Sequence, residues 1–299
     1  MERNTLAHLS LFSVAFIYAA NFSIAKIVMG GGYVPPSTFI LCRITSALVL
    51  FTVYHYLFVK EKIQPDDKKP MIWLAFFGVA ANQLLFFMGL ALTTPIHAAL
   101  IMTITPISVV IVESVLRESP LTFNKVFGVL IAFTGAIFII LSGSDISFDG
   151  QTMLGDFFVF ANAVFYSIYL VKVKPLVRKY HPITINRVTF LYGFFMVLPF
   201  GFPNITGIQW GAFDTRIWLS FLYVLIFTTF FAYYLNSWAM LIVKPSVVGV
   251  YIYLQPLLTI IIAIIIGTDK PDINIILAGL LIFTGVFLTS YTKNIKKDT

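Results

Sequence analysis

Apolar runs of about twenty residues recur ten times along this chain, and each is close to the length an α-helix needs to cross about 30 Å of hydrocarbon. They cover residues 6–29, 36–59, 70–92, 96–117, 122–142, 152–172, 182–200, 216–241, 245–267 and 273–291. A backbone in lipid must satisfy its own hydrogen bonds, so only helices and closed barrels span a bilayer. Barrel strands would alternate apolar and polar residues over about ten positions, whereas these runs are long and continuously apolar. The breaks hold turn formers: Gly30-Gly31-Gly32, Pro35-Pro36, Pro65-Asp66-Asp67, Ser142-Gly143-Ser144-Asp145 and Lys270-Pro271-Asp272. With 11% charged residues and a mean hydropathy of +0.92, the chain cannot solvate the surface of a globule of this length. The expected fold class is an all-α membrane protein of ten transmembrane helices. The first run is read as a span rather than a cleaved signal peptide, because Arg3 alone precedes an apolar run too long for one.

Basic residues set the orientation. With the N-terminus in the cytoplasm, fifteen of the twenty Lys and Arg fall in inside segments and three (Lys26, Arg216, Lys270) at outside ends. The other two, Arg43 and Arg187, lie inside predicted helices. Both termini are therefore expected in the cytoplasm, in a bacterial inner membrane. The net charge of +7 is spread over short loops, which excludes a nucleic-acid-binding face. Cys42 is the single cysteine, and the four histidines show no ligand spacing, so neither a metal nor a cofactor is expected.

The chain repeats itself at an offset of 150. Pro95 matches Pro245, Pro106 matches Pro256, Asn124 matches Asn274, and Phe133-Thr134-Gly135 matches Phe283-Thr284-Gly285, without a gap. Five spans per half is an odd number, so the second half enters the membrane upside down. Inverted repeats about a pseudo-two-fold in the membrane plane are a transporter architecture, with the substrate site near the midplane between halves.

Several stretches resemble an EamA-domain protein of the drug/metabolite transporter superfamily. They are Tyr18 to Lys26, Cys42-Arg43-Ile44, Ala98 to Pro106, Arg117-Glu118 and Gly128 to Gly135, with Ser246 to Pro256 and Ala278 to Gly285 repeating the last pattern. The resemblance implies two EamA repeats, 5–142 and 152–291. It also implies export, facilitated movement or exchange of amino acids, sugars, nucleotides or drugs, without choosing among them. Two departures stand out. Arg117 replaces the glycine that usually precedes the acid, and the second half carries Gly267-Thr268 in place of its acid.

Polar residues at mid-depth are the candidate substrate contacts. They are Asn82 and Gln83, Thr103 (with Thr105 nearby), Tyr166 (with Asn162), and Tyr251 and Gln255; Asn21 and Asn236 lie further out, and Trp238 with the tyrosines would supply stacking walls. Amides in hydrocarbon need partners, so they either face a wet cavity or bond neighbouring helices. Pro106 and Pro256 sit mid-span and remove an N–H each, which kinks the helix and frees a carbonyl. The kink is either a gate or a static bend. Arg43 and Arg187 either snorkel to the nearer interface or pair with a substrate carboxylate. Glu113 is spaced to pair with Arg117. Gly128, Ala132, Gly135, Ala278, Gly279 and Gly285 suit close contact of helices five and ten.

The function expected from all this is a secondary transporter of a small polar or amphipathic metabolite such as an amino acid. No acid falls at the membrane centre, which favours facilitated diffusion or exchange over proton coupling, with His97 kept as the one candidate proton site. An intramembrane enzyme would want a nucleophile, paired acids or a metal cluster at one depth, and none is visible. A channel or scaffold is the remaining alternative; it lacks charge rings and a filter loop.

Overall fold

The computed structural model describes residues 2–93, 98, 101–116, 120–142, 150–255, 257, 258, 261, 262 and 273–290. Among the described residues every regular element is helical. In chain order these are α1 (Arg3–Gly30), α2 (Pro36–Val59), α3 (Pro65–Leu92), α4 (Ile104–Val115), α5 (Phe123–Ser142), α6 (Gly150–Lys179), α7 (Pro182–Gly207), α8 (Thr215–Ala239), α9 (Pro245–Val250) and α10 (Ile273–Ser290). One helix answers each predicted span. By length and composition α2, α3, α6, α7 and α8 each suffice to cross a membrane. Pro95, His97, Arg117, Glu118 and Pro256 lie outside the described residues.

Local chemistry explains the starts. Proline occupies the first helical position of α2, α3, α7 and α9, where its missing N–H would have had no partner. Asp66 and Asp67 complement the helix dipole in the first turn of α3. The Asp214 carboxylate caps α8, accepting from Ile217 N at 2.8 Å. Lys60, at φ 53, adopts the left-handed conformation that ends α2.

The helix pairings repeat about a two-fold. At the 150-residue offset α1 to α5 correspond to α6 to α10. α2 lies along its counterpart α7, and α5 along α10. α3 packs on α6, and their counterparts α8 and α1 pack on each other; α3 meets α7 as α8 meets α2. Exchanging the halves leaves this set of contacts unchanged. With five helices in each half, the axis lies in the membrane plane and the repeats are inverted.

Small residues allow the closest of these approaches. A Cβ on Gly128 would stand 2.5 Å from Thr289 Oγ1 and 2.8 Å from Gly285 O, so α5 and α10 touch backbone to backbone. Large apolar side chains cover the outside: Phe123 is 77% exposed and Phe58 70%. Water would not tolerate so much apolar surface, and lipid does.

Two helical irregularities also obey the repeat. α3 widens into a π segment at Phe76–Ala80, and α8 does so at Val224–Phe231. Both lie at the same repeat position. α4 restarts at Ile104 after a turn at Thr103, and α9 tightens into a 3-10 turn at Tyr251–Tyr253. Thr103 and Tyr253 are repeat equivalents. Pro106 thus stands in the first turn of a restarted helix rather than at a bend within a continuous one, because a first turn has no N–H bond to lose.

Candidate functional site

Where the halves meet, α1, α2, α3, α6, α8 and α9 enclose a cavity of about 100 Å³. Its walls are set by helix phase. Along α1, Leu11, Val14, Ala15, Tyr18 and Asn21 recur at helical spacing and face it. Asn82, Gln83, Phe86 and Phe87 come from α3, Arg43 from α2, and Met102 from the segment before α4. The second repeat supplies Asn162 and Tyr166 from α6, Tyr233 and Asn236 from α8, and Val248, Tyr251, Ile252 and Gln255 from α9 and the turn that follows it.

Seven of the nine predicted contacts share this cavity: Asn21, Asn82, Gln83, Tyr166, Asn236, Tyr251 and Gln255. The other two do not line it. Trp238 follows Asn236 by two residues, which turns it about 200° round α8, away from the cavity face. Thr103 follows the lining residue Met102 by one and is buried against other helices. Tyr18 and Tyr233 line the cavity and were not predicted to. Both were within reach of helical spacing, since each precedes a predicted asparagine, Asn21 or Asn236, by three residues.

The polar groups are ordered by one another. Tyr233 donates its hydroxyl proton to Gly78 O at 2.9 Å, a carbonyl inside the α3 π segment. That leaves the Tyr233 oxygen to accept from Gln83 Nε2, at 3.5 Å. Gln83 and Tyr233 are repeat equivalents, so this contact marks the pseudo-two-fold axis at the cavity wall. Asn162 Nδ2 donates to Asn82 O at 2.7 Å, and Asn236 Nδ2 to Tyr166 Oη at 3.3 Å. The Tyr251 hydroxyl meets His8 Nδ1 at 2.7 Å. With their amino groups committed, Gln83 Oε1 and Asn162 Oδ1 are buried acceptors without a partner among the described residues, as is Asn21 Oδ1.

Arg43 does not snorkel. It is 3% exposed, its Nε donates to Thr229 Oγ1 at 3.1 Å, and its guanidinium carbon sits 4.4 Å from the centre of the Phe87 ring. The α8 π segment prepares this contact. Thr229 sends its own proton to Val224 O at 2.9 Å, so its oxygen is left to accept. Arg187 behaves as the snorkelling reading expects, reaching out to the Tyr56 hydroxyl at 3.3 Å.

Charged ties hold the end of the bundle that carries the α2–α3 and α6–α7 turns. Buried Glu113 accepts from Lys125 Nζ and, at 3.0 Å, from Ser246 N at the start of α9. A tertiary partner twelve residues away thus takes the carboxylate that the sequence placed within reach of Arg117. Lys174 Nζ donates to the carbonyls of Met240 and Val243 in the α8–α9 turn. Lys179 Nζ bonds Asp67 Oδ2 at 2.5 Å, and His181 N donates to Glu61 Oε2 at 2.9 Å. At the opposite end, Thr93 Oγ1 donates to Asp156 Oδ1 at 2.5 Å.

A model of the EamA-like transporter family matches residues 5–141 and 153–291. The chain belongs to the EamA-like transporter family. It is an integral membrane protein, and its EamA relatives carry transporter names. A transporter of Archaeoglobus fulgidus, described as uncharacterized, is 26% identical over 96% of this chain and 98% of its own length. The uncharacterized transporter YyaM of Bacillus subtilis is 24% identical over 97% of this chain and 95% of its own. The WAT1-related protein At3g18200 of Arabidopsis thaliana is 23% identical, covering 95% and 81% respectively. A solved crystal structure superposes over 100% of both chains with a TM-score of 0.79 at 18% identity, which speaks for the fold alone.

Proposed function

We propose that this EamA protein is a secondary transporter that carries a small polar or amphipathic metabolite by alternating access. One observation carries the reading: a single cavity, walled by both inverted repeats, gathers amides and tyrosines from five helices and leaves several of their acceptors unpaired. Buried polar groups are paired as a rule, and the gathering of three open amide acceptors from both repeats around one cavity suits a polar solute. Asn21, Asn82, Gln83, Tyr166, Asn236, Tyr251 and Gln255 are the proposed solute contacts. The turn at Thr103, before α4, and the 3-10 turn at Tyr251–Tyr253, after α9, precede Pro106 and Pro256 in sequence and are where rigid halves would hinge. The basic end faces the cytoplasm in this reading, with both termini inside, following the charge bias of the loops. Transport is by facilitation or exchange, since both described acids within the spans, Glu113 and Asp156, lie near span ends and are hydrogen-bonded.

The test is counterflow in proteoliposomes holding the purified protein. A carrier gives saturable uptake of labelled solute that is stimulated by unlabelled solute inside. Flux that rises linearly with concentration indicates a channel, and absence of flux across a broad metabolite panel indicates a scaffold.

A further inference from the structure

We propose that Arg43 is the anion-binding element of the cavity, and that the transported solute carries one carboxylate. The proposal rests on the transport reading above and narrows its substrate class. Arg43 lines the cavity at 3% exposure, and its guanidinium is always charged. Its neighbours are the Thr229 hydroxyl on Nε and the Phe87 ring on one face. Nη1 has no hydrogen-bond partner among the described residues. Among the described residues no Asp or Glu pairs with it. Glu113 is taken by Lys125, and Asp67 by Lys179. Asp156 holds Thr93 at the end of α3, and Asp214 caps α8. Glu2, Glu61 and Asp66 sit at the ends of helices or in turns.

A cation removed from water without a counter-charge is strongly disfavoured, and buried charges in proteins are paired as a rule. A solute arriving with a negative charge supplies the missing partner, in a site where water competes little. The architecture serves this end. Thr229 fixes one edge of the guanidinium and Phe87 fixes its plane, so the group is held in a set orientation, as carboxylate recognition requires. One fixed positive charge pairs with one carboxylate, and an amino acid's ammonium would meet the neutral amide acceptors; a phosphomonoester dianion brings a second negative charge for which no other described cation lines the cavity. The unpaired acceptors Asn21 Oδ1, Gln83 Oε1 and Asn162 Oδ1 share the cavity and call for hydrogen-bond donors on the rest of the solute, as hydroxyl or ammonium groups supply.

The probes are small monocarboxylates (amino acids and hydroxy acids), each set against its own carboxamide, with small phosphomonoesters as a third arm. Each competes in proteoliposome counterflow. In the wild-type protein the carboxylate of an accepted pair should be preferred over its amide by about tenfold or more, since a hydrogen bond to a charged group is worth more than a neutral one. Arg43→Gln should collapse that preference, and Arg43→Lys should keep part of it. Equal acceptance of amides and acids by the wild type, a preference for phosphomonoesters, or an unchanged preference in folded Arg43→Gln overturns the proposal while leaving transport standing. The wild-type comparison decides even if Arg43→Gln fails to fold. If no solute of any arm shows saturable flux, the transport reading falls and the Arg43 proposal falls with it.

Discussion

Replacing Glu113 by alanine removes the carboxylate on which three helices converge. Glu113 is 1% exposed and belongs to α4; it accepts from Lys125 of α5 and from the first turn of α9 through Ser246 N. Alanine leaves the Lys125 ammonium, itself 6% exposed, without a counter-charge. Breaking a buried pair from one side is destabilising by about 3–5 kcal/mol, because the surviving charge stays desolvated. The abandoned Ser246 N–H is worth about 1–3 kcal/mol by itself, but it shares the same carboxylate, so the total stays near the upper end of the first figure. Glu113→Gln keeps an acceptor for Ser246 N and loses the charge, so it should be milder than alanine by about 1 kcal/mol. Lys125→Met removes the stranded charge while retaining an apolar stem. In the Glu113→Ala background it should restore part of the loss, with a coupling energy of about 2–3 kcal/mol across the double-mutant cycle. Reversible unfolding in mixed micelles of rising SDS fraction, followed by far-ultraviolet circular dichroism, measures all four corners. A loss under about 1 kcal/mol for Glu113→Ala, or single effects that simply add, would refute the reasoning and make the pair a superficial contact.

Gln255→Ala and Asn82→Ala should each weaken apparent solute affinity by up to about tenfold in counterflow, the worth of one neutral hydrogen bond, with folded yield retained; normal affinity in the folded fraction would make them helix glue. Collapsing ΔpH across proteoliposomes should leave exchange intact, and strict dependence on ΔpH would contradict the assignment of Glu113 and Asp156 to structural bonds. Reporter fusions after residues 65, 147 and 208 should read inside, outside and outside, and an outside signal at 65 would invert the topology. Gly128→Leu should cut folded yield sharply because a Cβ there stands 2.8 Å from Gly285 O, whereas Gly279→Ala should be tolerated because its Cβ would meet Leu257 at 3.5 Å; equal yields would show that α5 and α10 separate freely.

The spans were legible because hydrocarbon thickness converts directly into run length, and because Pro35-Pro36, Pro65, Pro182 and Pro245 mark helix starts by a mechanism local to the backbone. Much of the cavity was legible for a related reason: amides in lipid face inward, so residue type gathers Asn21 and Asn236 with the mid-depth Asn82, Gln83 and Gln255. Depth does not give helical phase. Trp238 and Thr103 stand close in sequence to lining residues but at the wrong azimuth, and in helices that are apolar all round no hydrophobic face reveals the phase. Arg43 was readable in two ways because snorkelling and burial differ only in what neighbouring helices offer. The deciding groups, Thr229 and Phe87, lie 186 and 44 residues away. The π segments have no sequence mark, since widening by one residue leaves a continuous apolar run unchanged.

Those π segments connect the repeat to the chemistry. A helix that widens frees carbonyls, and in lipid each must find a donor. Inside the π segment of α3, Gly78 O takes the proton of Tyr233 from the other repeat. Inside that of α8, Val224 O takes protons from Thr228 at 2.6 Å and Thr229 at 2.9 Å. The same irregularity, at the same repeat position, therefore orients a different cavity group in each half. On one side Tyr233 turns a lone pair toward Gln83; on the other Thr229 turns one toward Arg43. A duplication that began symmetric can acquire one fixed positive charge on one side of its axis in this way, and a solute with a single carboxylate is asymmetric in the same sense. Regularising α8 should therefore act through Arg43. Thr229→Val keeps the shape and removes the acceptor on Nε, so it should relax the preference for carboxylate over carboxamide and cost about 1–3 kcal/mol of stability, because a buried donor on a charged group loses its partner. A Thr229→Val protein with undiminished preference would show that Phe87 alone fixes the guanidinium, and that the π segment of α8 serves helix fit rather than recognition.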